Sequence, residues 1–72
     1  MNLIKVYDMA TGDYMMEYHT MFAPQKNDKM FIGDLEVRVC NVYHVIKEEI
    51  DWLSENELHR FTHLELEVEV VD

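Results

Sequence analysis

The sequence has little of what braces or targets larger proteins. A single cysteine rules out an internal disulfide, and the N-terminus lacks a basic segment followed by an apolar stretch, so nothing marks it for secretion. No apolar run approaches the ~20 residues of a membrane span, and there is no glycine-rich phosphate loop. One proline and two glycines are too few for a low-complexity or disordered chain. Bases are scarce too: six Lys and Arg stand against fifteen Asp and Glu, a net charge of −9. Direct binding to a nucleic acid backbone needs clustered Lys and Arg, so the expected partner is basic rather than phosphate-bearing. Seventy-two residues leave no room for a second domain, so residues 1–72 read as one non-enzymatic domain of the cytoplasm, the host's if the source is a virus.

What is abundant is acid, and it is unevenly placed. Residues 1–47 hold six acids and five bases, whereas 48–72 hold nine acids and Arg60 alone, so nearly all of the excess falls in the last third. A one-sided field of that kind steers association with an oppositely charged surface.

The pattern of the chain is mainly β. Residues 2–8 are rich in β-branched and aromatic side chains, Ala10-Thr11-Gly12-Asp13 supplies a turn, and 14–22 forms the return strand. Pro24 to Asp28 reads as a loop, 29–32 as a short strand, Gly33-Asp34 as a tight turn and 36–46 as a long Val-rich strand. In that strand Asn41 interrupts an apolar alternation, which predicts a bulge near Cys40–Val42. Ser54-Glu55-Asn56-Glu57 fits a capping box, so a short helical insertion is expected at about 48–60. From Phe61 to Val71, Leu64, Leu66, Val68 and Val70 alternate with Glu65, Glu67 and Glu69, the signature of a half-buried strand. The expected fold is a small five-stranded, bent antiparallel sheet or an SH3-like or OB-like barrel carrying that helical insertion.

Alternate residues on a strand are ~6.7 Å apart, so Glu65, Glu67 and Glu69 form a row of charges pointing one way. Neighbours in that row repel by roughly 0.6 kcal/mol in water. A cross-strand base such as Arg38 or Lys47 could oppose them. Such a row offers acceptors to Lys and Arg much as successive phosphates do, and Glu48, Glu49, Asp51, Glu55, Glu57 and Asp72 widen it. Trp52, an aromatic amid acids, suits an interface anchor equally well as a core position. The bland alternative is a charged strand kept only for solubility and to discourage edge pairing.

These features, small size, an acidic C-terminal third and the Glu65-Leu66-Glu67-Val68-Glu69 ladder, resemble the small acidic proteins that phages make early in infection to shut down host functions, several of them DNA mimics. The nearest type is the Bacillus-phage inhibitor of the nucleoid protein HU. The resemblance implies host takeover by protein–protein interaction: an inhibitor that holds the basic DNA-contacting surface of an HU-like protein and prevents DNA binding, nucleoid-associated through its partner. Residues 23–46 are also similar to small phage β-barrel proteins with a Pro-x-x-Gly-Asp turn, with Asn27 at the glycine position. The alternatives are a virion structural or adaptor module, or an inhibitor aimed at RNA polymerase or a nuclease. His59 and His63 are spaced as helical metal ligands only if the helix continues into a β-like segment, and Cys40 fits a core position better than a nucleophile, so no cofactor, metal or catalytic residue is assigned. A domain this small would gain stability as a homodimer.

Overall fold

The computed structural model describes residues 2–51 and 57–71, with side chains described at 2–48 and 60–71. It contains five strands, β1 (Asn2–Asp8), β2 (Tyr14–Thr20), β3 (Lys29–Ile32), β4 (Leu35–Asp51) and β5 (Glu57–Val70). They form one sheet in the order β2-β1-β5-β4-β3, curled into a half-barrel. The pairs β1–β2, β3–β4 and β4–β5 are antiparallel, as short hairpin connections require, while β1 and β5 run parallel. The sheet is therefore mixed where an antiparallel one was expected. Turn chemistry reports only on strands adjacent in sequence, and the β1–β5 contact joins the two ends of the chain.

What holds the sheet bent is one apolar face. Ile4 and Val6 of β1, Val37 and Val39 of β4, and Leu64, Leu66 and Val68 of β5 form the buried cluster, with Met15, Met16, Tyr18, Met30, Ile32 and Val42 packed around it. The β4–β5 register shifts between Val39 and Asn41, making Cys40 a bulge residue. Asn41 thereby faces Glu67 on the outer side and Val42 returns to the core side opposite Leu66. Gly33 (φ +63) closes the β3–β4 turn. Asn27 has φ +77, a left-handed conformation that Asn tolerates better than most side chains. The turn is tied by Asp28 Oδ2, which accepts the Gln25 N–H at 2.8 Å.

The expected helical insertion does not form in the described part of 48–60. Residues 48–51 belong to β4 and 57–60 to β5, and Ile50 pairs with Leu58 across the ribbon instead of following it round a helix. Val42, Val45 and Ile46 on one side and Phe61 and Thr62 on the other carry β character into the segment, and Arg60 Nε donates to Glu48 Oε1 at 3.0 Å as a cross-strand pair. Residues 52–56, with most of the capping-box motif, lie outside the described residues. β1 pairs with β5 no further out than Leu64, so from Val45 opposite His63 to Asp51 opposite Glu57 the two strands continue as a two-stranded arm. This arm accounts for the 53 × 26 × 19 Å extents of so short a chain.

Candidate functional site

The alternation of β5 places Leu64, Leu66 and Val68 in the core, so Glu65, Glu67 and Glu69 line the outer face at the centre of the sheet. The two flanking strands then determine what each carboxylate meets. Arg38 is the register partner of Glu69, and its guanidinium grips Glu69 Oε1 through Nε at 2.8 Å and Nη2 at 2.6 Å. Its Nη1 donates to Asn27 Oδ1 at 2.9 Å, which ties the 25–28 turn to the ladder. The bond to Glu69 raises the Arg38 pKa further above its ordinary value.

Glu67 Oε1 accepts from the Tyr43 hydroxyl at 2.6 Å and from Asn41 Nδ2 at 3.2 Å. His63 Nε2 lies 3.0 Å from Glu65 Oε1. An ionised carboxylate can only accept, so this hydrogen bond puts a proton on Nε2. All of these contacts fall on Oε1, and among the described residues the second oxygen of each ladder glutamate takes no hydrogen bond. The ladder is thus a row of side chains fixed through one oxygen and open at the other.

The outer face is less negative than the strand alone. β1 sets Lys5 beside Glu65, and β3 sets Lys29 beside Arg38. Of the two bases that could oppose the ladder, Arg38 does so, while Lys47 is out on the arm opposite Phe61. Glu48 is exposed and paired with Arg60. Glu49, Asp51 and Glu57 are placed by their backbone near the outer end of the arm, and Trp52, Glu55 and Asp72 lie outside the described residues. The acids therefore fall into two groups, a fixed row on the sheet and a looser set along the arm. Sequence reading missed Asn41, Tyr43 and His63 as ladder partners; the bulge at Cys40, which turns Asn41 outward, was the signal available for the first.

The tyrosines give the fold an alkaline limit. The hydrogen bond to Glu67, then burial and the Glu67 charge, raise the Tyr43 pKa above its ordinary 10.0. Burial, and then the bond to Glu17, raise that of Tyr14, and burial raises that of Tyr18. An acid whose pKa is higher folded than unfolded keeps its proton longer in the folded state. Its stabilisation is complete below pH ~10 and is lost as pH rises through the folded-state value. Urea unfolding midpoints should fall above pH ~10, and Tyr43→Phe should make the fall shallower. An equally steep fall in that variant would show that the Tyr43–Glu67 bond is not part of the cause.

No family model, curated protein or solved structure matches the chain. The likeness to phage DNA mimics therefore rests on the sequence features alone.

Proposed function

We propose that the chain is a non-enzymatic inhibitor that lays its carboxylate ladder against the basic, DNA-contacting surface of another protein and excludes DNA by competition. An HU-like nucleoid protein of the host cytoplasm is the favoured target. The observation that carries this reading is the one-sided fixing of Glu65, Glu67 and Glu69. Each side chain has already lost the rotamer freedom that a partner would otherwise have to remove, while one oxygen stays open for Lys or Arg. The acids along the arm add a field that draws a basic surface in and speeds encounter.

The test is calorimetric titration into a purified HU-like protein, with displacement of bound DNA measured in parallel. Replacing Glu65, Glu67 and Glu69 together by Gln keeps their size and removes their charge. A hydrogen bond to a charged group is worth about 1.5–3 kcal/mol, and each 1.4 kcal/mol is tenfold, so if only two of the three carboxylates meet a base the triple variant should bind at least about a hundredfold more weakly. Wild-type binding should also weaken steeply with salt, and the variant's less so. Equal affinity of the two proteins, each folded by circular dichroism, would sink the proposal. A wild-type pull-down that yields virion proteins in place of a DNA-binding protein would favour the adaptor reading.

A further inference from the structure

The β4 edge is long and open. β3 covers it only from Leu35 to Arg38, and Asn27 and Asp28 add backbone bonds at Val39. From Asn41 to Asp51, among the described residues, no strand pairs with the side of β4 that faces away from β5. An unpaired edge of this length is a template for another strand, and a two-stranded ribbon standing alone is only marginally stable in water.

We propose that two copies of the chain join edge to edge along β4, antiparallel about a two-fold axis at Ile46, so that the two arms form one four-stranded sheet. This goes beyond the ladder's role and leaves the ladder's outer face free.

The occupant is identified by the edge's own sequence, Asn41-Val-Tyr-His-Val-Ile-Lys-Glu-Glu-Ile-Asp51, which is self-complementary in this register. Ile46 meets Ile46 of the second copy, Val42 meets Ile50 and Val45 meets Lys47. In register, each acid falls opposite a residue that is not an acid: Glu48 opposite His44, Glu49 opposite Tyr43 and Asp51 opposite Asn41. Two chains of net charge −9 thus come together with no acid directly opposite another acid. Centring the pair on Val45 would set Val42 against Glu48. Centring it on Lys47 would set Lys47 against itself and Ile46 against Glu48. A shift by one residue would turn the core side of one copy toward the outer side of the other.

The surroundings agree with this register. Ile46 is 65% exposed at the proposed axis. Beside Asn41, Val42 and His44 the loop stands off to leave an open cleft of about 490 Å³, lined also by Gln25 and Lys26. In this register residues 49–51 of the second arm fall opposite Asn41 to Tyr43, beside the cleft that Lys26 helps to line.

Sedimentation equilibrium of the full chain should give twice 8.7 kDa. Ile46→Lys, which sets two ammonium groups side by side at the axis, should give a folded monomer. The register is read by oxidative cross-linking. Residues directly opposite on antiparallel strands have Cα atoms roughly 4.5–5.5 Å apart, within the disulfide range of about 4.4–6.8 Å. Ile46→Cys should therefore bridge to its own copy. Glu48→Cys is offset from its own copy by about 13 Å along the strands and should not, whereas a mixture of His44→Cys and Glu48→Cys chains should bridge to each other. A wild-type monomer at all concentrations, or Ile46→Cys bridging no faster than Glu48→Cys, overturns the proposal.

Discussion

A Leu66→Ala chain is expected to lose about 2–5 kcal/mol of stability, the range for emptying a large aliphatic site in a packed core. At roughly 0.05–0.15 kcal/mol per residue, a domain of this length has only about 4–11 kcal/mol in total, so the variant should be largely unfolded or close to it. The position justifies the upper part of the range. Leu66 is fully buried on the central strand, opposite Val6 of β1 and Val42 of β4 at once, so β1 and β4, strands of different hairpins, both lose packing around the same cavity. Ile46→Ala, on the exposed arm, removes the same three carbons yet should change the monomer's stability by less than about 0.5 kcal/mol. Urea unfolding followed by circular dichroism compares the two. A loss below about 1 kcal/mol for Leu66→Ala would mean that the half-barrel relaxes around the gap in a way this packing does not suggest.

That difference between neighbouring strand positions was readable before any coordinates, because it depends on period-two alternation. The five strands follow from β-branched runs bounded by turn residues, and β1 and β3 have the expected bounds. The bulge was legible as well, since a polar residue in an apolar alternation forces either a buried amide or an extra residue, and the chain takes the extra residue at Cys40. Two features were not legible. The parallel β1–β5 pair is fixed by tertiary contact between chain ends, which no turn encodes. The arm reads as helical because Ser54-Glu55-Asn56-Glu57 fits a capping box, and local pattern cannot weigh that against the cross-strand partners β4 and β5 supply to each other.

The candidate site divides in the same way. Sequence locates Glu65, Glu67 and Glu69 on one face because alternation within a strand requires it. It does not say what the flanking strands place beside them. Asn41, Tyr43 and His63 become partners only through the register, and Arg38 meets Glu69 because the bulge falls after Val39 and leaves the earlier pairs in step. The ladder's chemistry therefore depends on register as much as on composition.

Two one-residue changes to that register are expected to have opposite outcomes. Deleting Cys40 joins Val39, opposite Val68, directly to Asn41, opposite Glu67. Every side chain keeps its present face, and what is lost is one buried thiol and the local bend of the bulge. The deleted chain should fold, at a cost of roughly 0.5–3 kcal/mol, the usual span for a single change. Inserting an alanine between Leu66 and Glu67 should abolish folding. Everything after it shifts to the opposite face, turning Glu67 and Glu69 toward the core and Val68 outward, and parting Glu69 from Arg38 and Glu67 from Tyr43. Burying a carboxylate without a partner costs several kcal/mol even after relaxation, and two of them exceed what a domain of this size has to lose. The chain cannot bulge the alanine out as β4 does Cys40, because Leu66 and Glu67 are paired on both sides, with Val6 and Tyr7 of β1 and with Val42 and Asn41 of β4. A bulge there would break two ladders. Dispersed amide resonances for the deletion and collapsed ones for the insertion are the expected spectra; a folded insertion variant would show that the central strand is less constrained than its pairing implies.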